Sequence, residues 1–101
     1  MIYNKLVRDK IPQIMESNGE KAITKILNDE EYTKALHTKL DEEVLEFHQD
    51  DNAEELADIL EVVFALAKSK GYSEEELLAL RNKKREQRGG FDDKIFLIAK
   101  E

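Results

Sequence analysis

Hydrophobic positions in the middle of the chain follow a helical period. Along residues 30–49 the apolar side chains recur at steps of four, four and three, at Leu36, Leu40, Val44 and Phe47. This spacing predicts one apolar stripe on an amphipathic helix. Asn28 or Asp29 is a suitable N-cap residue, and acidic residues follow in the first turn. We therefore expect a long helix that begins near Asn28 and ends before residue 50.

A second helix is predicted over residues 53–70, after a turn around residues 50–52, and Gly71 ends it. Six apolar residues lie on one face of this helix: Leu56, Ile59, Leu60, Val63, Leu66 and Ala67. Val62 and Phe64 extend the apolar surface beyond half of the circumference. A helix this apolar is covered on more than one side, so we expect a homo-oligomer.

Shorter elements are predicted at both ends of the chain. Asp9 is the expected N-cap of a short helix with Pro12 in its first turn and Gly19 after its end. Ser73 and Glu76 form a capping-box pattern that opens a helix over residues 74–88. The segments KAITKIL (21–27) and KIFLIA (94–99) are typical of strands, which could pair with each other. The expected fold is one all-α domain, residues 1–101, with about four helices and a small two-stranded ribbon.

Composition narrows the possible functions. The 101 residues carry a net charge of −7, which makes the chain a poor partner for a nucleic-acid polymer or an anionic membrane. Cysteine is absent, so disulfides, thiolate nucleophiles and sulfur-ligated zinc are excluded. No signal-peptide core or bilayer-spanning apolar run is present in the sequence. We expect a cytoplasmic protein.

Carboxylates are concentrated beside the apolar stripes of the two central helices. At about 100° per residue, Glu43 lies at the edge of its stripe and Glu46 one turn further along, while Glu42 points more outward. Glu55 and Asp58 are also three residues apart, on the second helix. If the helices pack antiparallel, the two pairs face each other and would repel unless they are protonated or bridged by cations. Oxygen ligands suit Mg²⁺. Spacing alone leaves a second interpretation open, in which the acids form a solvated face.

Basic residues form two groups. Lys5, Arg8 and Lys10 lie near the N-terminus, and four more lie near the end of the last helix: Lys83, Lys84, Arg85 and Arg88. Cations favour the C-terminal turn of a helix, which accounts for one or two of these four. The remainder leave room for a phosphate site.

The acidic pattern resembles that of a known superfamily. Glu42-Glu43-x-x-Glu46 followed by Glu55-x-x-Asp58 is similar to the EExxE…ExxD motif of the all-α nucleoside triphosphate pyrophosphohydrolases. That superfamily includes MazG, the dimeric dUTPases and phosphoribosyl-ATP pyrophosphohydrolase. The stretches YNKLVRDKIP and RGGFDDKIFLI resemble the ends of a small MazG-like subgroup, often labelled phosphoribosyl-ATP pyrophosphohydrolase-like. The likeness covers nearly the whole chain.

The resemblance implies a MazG-like helical bundle that associates as dimers or tetramers. It also implies Mg²⁺-dependent cleavage of a nucleotide between its α- and β-phosphates. By position, the metal ligands would be Glu43, Glu46, Glu55 and Asp58. Glu43 would also be catalytic, together with Glu42, which would support the ligands or activate water. The residues expected to contact phosphate are Lys5, Arg8, Lys84 and Arg88.

One departure from the superfamily pattern concerns substrate recognition. Only eight residues separate Glu46 from Glu55, fewer than in larger relatives, so a partner subunit is expected to supply part of the pocket. The leading hypothesis is a nucleotide pyrophosphohydrolase that clears non-standard nucleoside triphosphates. The alternatives are a phosphoribosyl-ATP pyrophosphohydrolase and a non-catalytic helical interaction module with the same fold.

Overall fold

Four α-helices account for all the regular secondary structure of the chain. The computed structural model describes residues 1–101, and the helices are α1 (Ile11–Ser17), α2 (Asp29–Asp50), α3 (Ala53–Ser69) and α4 (Glu74–Arg88). No strand is present. The predicted all-α fold with four helices is therefore confirmed.

Side-chain caps set the beginnings of the three longer helices. Asn28 accepts a hydrogen bond from the backbone amide of Glu31, and the Glu31 side chain accepts one from the Asn28 amide. Ser73 and Glu76 make the same reciprocal pair at the start of α4. Asn52 accepts from the third residue of α3 at 3.0 Å. These bonds satisfy amides that the first turn of a helix leaves without partners.

The predicted cap of α1 was wrong. The N-cap residue is Lys10, whose side chain makes no capping hydrogen bond. A backbone turn precedes the helix, in which the Ile11 amide donates to the Arg8 carbonyl at 3.0 Å, so the helix starts one residue after the expected position. Pro12 does occupy the first turn, where its missing N–H is not needed.

The predicted ribbon is also absent. Residues 21–27 are irregular and make no backbone hydrogen bond to residues 94–99. Lys94 adopts a left-handed conformation (φ 59°), and its amide closes a turn on the Phe91 carbonyl at 3.2 Å. A residue in that conformation cannot begin a strand. Strand propensity at both sites is not enough without a second strand within reach.

A two-residue turn folds α3 back along α2. Asp51 has left-handed backbone angles (φ 48°, ψ 51°), which an aspartate tolerates better than most residues. The two helices pack against each other along their lengths, whereas α4 packs less extensively against α3. Leu36 is the most buried side chain, at 2% exposure, and Val62 and Ala67 are the other buried apolar residues. The core therefore lies between α2 and α3.

Much apolar surface remains open to solvent. Only four residues of the chain are buried, and the accessible area is 9353 Å². A compact chain of 11.7 kDa would expose about 5,900 Å². Leu56 and Leu60, predicted on the core face of α3, are each 50% exposed, because α2 covers the neighbouring line through Val62 instead. No helix is both long enough and apolar enough to cross a bilayer.

Candidate functional site

Five carboxylates meet where α2 and α3 pack together. Glu42, Glu43 and Glu46 form one group with carboxylate oxygens within 4.8 Å of one another. Glu43 belongs also to a second group at the same spacing, with Glu55 and Asp58 from α3. The spacing of three residues on each helix sets one turn between acids, and the short turn after α2 brings the two pairs face to face. All four predicted metal ligands and Glu42 are thus close together.

Glu43 is the centre of this acidic cluster. It is the one charged residue of the chain that is buried, at 7% exposure. Its Oε1 atom lies 3.2 Å from the Lys39 ammonium, while its Oε2 atom is buried without a hydrogen-bond partner. The Oε2 atom of Glu55 is likewise buried without a hydrogen-bond partner. Buried carboxylate oxygens without partners are costly, so this arrangement is suited to a bound cation.

Three basic side chains partly neutralise the cluster. Lys39 contacts two α2 carboxylates, at 3.2 and 3.6 Å. Lys5 lies 3.7 Å from Glu42, and an Arg8 terminal nitrogen donates to Asp58 Oδ1 at 2.6 Å. Three cations against five carboxylates leave two negative charges, which equals the charge of one divalent ion. The role of Lys39 was missed in the sequence, although its spacing of three and four residues from acids favours such contacts.

The pKa values of two carboxyl groups are raised from the ordinary value of 4.5. A proton on Glu46 can be shared with the side chain of Glu43, and this hydrogen bond, followed by the charge of Glu43, raises the pKa of Glu46. Partial burial raises the pKa of Glu55, and the charge of Glu46 and a hydrogen bond with Asp50 add to the effect. Both shifts mean that a second negative charge is unfavourable here unless a cation is bound.

The donor set of the cluster is suited to a hard divalent cation. All five donors are carboxylates, and Mg²⁺ and Mn²⁺ prefer oxygen ligands. The two buried oxygens without partners, on Glu43 and Glu55, give such an ion vacant donor atoms on both helices. The residues therefore fit the Mg²⁺ that the resemblance implies.

A shallow depression lies beside the cluster, between the N-terminal segment and α2. Lys5, Lys39 and Glu42 line it together with Asn4 and other residues. Two ammonium groups next to the carboxylates give this surface a mixed charge. An anionic group could approach the cluster there without facing acids alone.

The other predicted site residues lie outside the cluster. Lys84 and Arg88 are exposed on α4 and make no ion pair with any residue of the chain. Two further acids of α3, Glu54 and Glu61, are exposed and also lie outside the cluster. One chain thus brings Lys5 and Arg8 to the acids but leaves the basic residues of α4 apart from them.

Comparisons with known proteins leave the family of this small all-α protein undefined. No family model matches the chain, and no solved structure matches it. An uncharacterized protein of Mycolicibacterium smegmatis (strain ATCC 700084 / mc(2)155) is 46% identical over 46 residues, which are 46% of this chain and 47% of that protein. The match spans about half the length of this curated relative, and the name of that relative states no activity. The resemblance to the pyrophosphohydrolases stays a prediction.

Proposed function

We propose that this protein is a Mg²⁺-dependent nucleotide pyrophosphohydrolase. Water is consumed, the anhydride bond between the α- and β-phosphates of a nucleoside triphosphate breaks, and a monophosphate and pyrophosphate are released. The observation that carries the proposal is the buried Glu43, whose unpartnered oxygen lies among carboxylates of two helices. Ion pairing alone accounts for Glu43 Oε1 but leaves Glu43 Oε2 and Glu55 Oε2 unexplained.

In this proposal each acid of the cluster has a role. Glu43, Glu46, Glu55 and Asp58 hold Mg²⁺, which when bound neutralises the phosphates, lowers the pKa of water and stabilises the departing pyrophosphate. Glu42 is half-buried and lies within 3.7 Å of two lysine ammonium groups. It orients the attacking water or accepts its proton.

Phosphate binding is assigned to the basic residues at the rim of the cluster. Lys5 and Arg8 are 42% and 55% exposed, so each can turn from its carboxylate towards a bound phosphate. Exposed ion pairs of this kind stabilise a protein by about 0–1 kcal/mol and are therefore easily exchanged. Lys84 and Arg88 would contribute only if a second copy carried them to the site.

The proposed active form of the protein is a homo-oligomer. The chain exposes about 3,500 Å² more than a compact protein of its mass, which is enough surface for each partner's share of a permanent interface. The half-exposed Leu56 and Leu60 lie on α3, the helix that carries two of the proposed ligands. A partner that packs there would also enclose the nucleotide. We propose a cytoplasmic role in clearing non-standard nucleotides.

The test is pyrophosphate release from a panel of standard and modified nucleoside triphosphates and phosphoribosyl-ATP, with and without Mg²⁺. Wild-type protein is compared with Glu43→Gln, which keeps the shape of the side chain but removes its charge. Glu61→Gln is the matched control, because Glu61 is an exposed acid of α3 outside the cluster. We expect Mg²⁺-dependent release that Glu43→Gln abolishes and Glu61→Gln preserves.

Each other outcome has a definite meaning. If pyrophosphate is released from phosphoribosyl-ATP alone, the substrate is phosphoribosyl-ATP and not a nucleoside triphosphate. Release without Mg²⁺, or equal loss in both variants, would contradict the assigned site. No release from any compound, with no effect of Mg²⁺ on the melting temperature, would favour the non-catalytic interaction module.

A further inference from the structure

The acidic cluster consists of two groups of carboxylates that share Glu43. The α2 group is Glu42, Glu43 and Glu46, and the interhelix group is Glu43, Glu55 and Asp58, with oxygens within 4.8 Å of one another in each group. Two-metal sites hold their ions about 3.5–4 Å apart, so five carboxylates are enough for one divalent cation or for two. The number depends on which oxygens the basic side chains of the protein already occupy.

Lys39 occupies the α2 group. Its ammonium lies 3.2 Å from Glu43 Oε1 and 3.6 Å from Glu42 Oε1, so it contacts two of the three carboxylates. The Lys39 side chain is 16% exposed, and both acids follow it by three or four residues on the same helix. If the ammonium left, the buried Glu43 carboxylate would lose its cation, which is strongly destabilising. Lys39 is thus a fixed positive charge inside the cluster.

The oxygens without partners belong to the interhelix group. Glu43 Oε2 and Glu55 Oε2 are buried and accept no hydrogen bond, and the Glu43 side chain is only 9% exposed. The basic contact of Asp58 in the same group is Arg8, whose side chain is 55% exposed. An exposed ion pair contributes little to stability and is readily exchanged. The interhelix group therefore has donor atoms available for a cation, whereas the α2 group already holds an ammonium.

We propose that Lys39 limits the cluster to one divalent cation, held in the interhelix group, because its ammonium takes the place of a second ion in the α2 group. The inference rests on the proposed Mg²⁺ site and adds the number of ions and the residue that sets it. Charge supports this limit. Three basic side chains against five carboxylates leave two negative charges, which one divalent ion neutralises and a second ion would exceed. A neutral side chain at position 39 would open the α2 group to that second ion.

Titration with Mn²⁺, followed by electron paramagnetic resonance, counts the bound ions in the absence of nucleotide. Mn²⁺ prefers the same oxygen ligands as Mg²⁺, and its sharp solution signal is lost on binding. Wild-type protein should bind one ion per chain, and Lys39→Met should bind two. Methionine keeps an aliphatic stem without the charge, and its soft sulfur is a poor ligand for Mn²⁺. The matched control is Lys34→Met, because Lys34 is an exposed lysine of α2 whose ion partner, Glu30, lies outside the cluster. This control should bind one ion.

A further substitution locates the second ion. Glu42 belongs to the α2 group alone, so adding Glu42→Gln to Lys39→Met should return the count to one. Two ions in wild-type protein, or one ion in both wild-type protein and Lys39→Met, would overturn the inference and leave the metal site standing. No bound ion in wild-type protein would overturn the metal site and the inference together. The expected counts without any pyrophosphate release would support the inference and contradict the proposed activity.

Lysine acetylation provides a second measurement on the unaltered protein. Lys39 should react slowly with acetic anhydride both with and without Mn²⁺, because its ammonium stays among the carboxylates in both states. Lys34, whose side chain is 79% exposed, is the reactive reference, and mass spectrometry of peptides measures both positions. If Mn²⁺ raised the acetylation of Lys39 to the level of Lys34, the ion would have displaced the ammonium. That result would overturn the inference even if Lys39→Met folds poorly.

Discussion

Replacing Glu43 with glutamine should stabilise the metal-free protein while removing its response to Mg²⁺. The carboxylate has four like-charged neighbours in the cluster, with oxygens within 4.8 Å in each group. Glutamine has the same shape and no charge, and its amide can donate a hydrogen bond to a neighbouring carboxylate. The substitution therefore separates a metal ligand from a purely structural acid.

The structure provides the magnitude of this effect. At an effective dielectric constant of about 20, each repulsion at 4.8 Å amounts to about 3.5 kcal/mol, and the attraction to Lys39 at 3.2 Å to about 5 kcal/mol. Repulsion from four neighbours exceeds attraction to one lysine, although solvent screens the half-exposed partners. We expect a net gain of roughly 1–2 kcal/mol in the metal-free state, or about 5–10 °C in melting temperature.

Thermal unfolding followed by circular dichroism measures both effects at a fixed protein concentration. A free Mg²⁺ concentration of 100 times Kd should stabilise the wild-type protein by about 2.7 kcal/mol, and the variant by much less. Glu61→Gln should resemble the wild-type protein in both respects. If Glu43→Gln melts at a lower temperature without metal and keeps the full Mg²⁺ response, the carboxylate is a structural partner of Lys39 and the argument for a metal site fails.

Three further predictions concern pH, the arginine at the rim and the core. The pKa values of Glu46 and Glu55 are raised in the folded state, so their contribution to stability is complete below about pH 4.5 and is lost as the pH rises through the raised values. These two groups should therefore make the metal-free protein more stable at pH 5 than at pH 8. Stabilisation by Mg²⁺ should be larger at pH 8, where the ligands are ionised. Titration of melting temperature against pH with and without Mg²⁺ checks the sign, and a Mg²⁺ effect that grows on acidification would contradict it. Arg8→Gln should change stability by less than about 1 kcal/mol but raise KM for the nucleotide with little change in kcat. Steady-state kinetics measures both constants, and an unchanged KM would contradict a role of Arg8 in phosphate binding. Leu36→Ala should lower the free energy of unfolding by about 2–5 kcal/mol in urea titrations. Leu45 is half-exposed, so Leu45→Ala should lower it by less than about 1 kcal/mol. Similar losses in the two variants would mean that Leu36 is not at the centre of the core.

Local sequence signals determined the helices of this protein. The capping boxes at Asn28 and Ser73 and the apolar period through Leu36 depend on residues within a few positions of one another, so they could be recognised without a structure. The same period located Glu43 at the edge of the stripe, and in the structure this side chain is buried. The acidic pairs on α2 and α3 could thus be predicted as neighbours.

Tertiary structure decided the features that depend on what lies across from a residue. Whether residues 21–27 and 94–99 pair depends on the path of α4 between them, which strand propensity does not describe. Which line of α3 becomes buried depends on how α2 crosses it, so Val62 is covered while Leu60 stays half-exposed. The contacts of Lys5 and Arg8 with the acids arise from packing between segments distant in sequence, whereas those of Lys39 are local to α2. Periodicity assigns a side chain to a face of its own helix, but only the packed chain determines what that face meets.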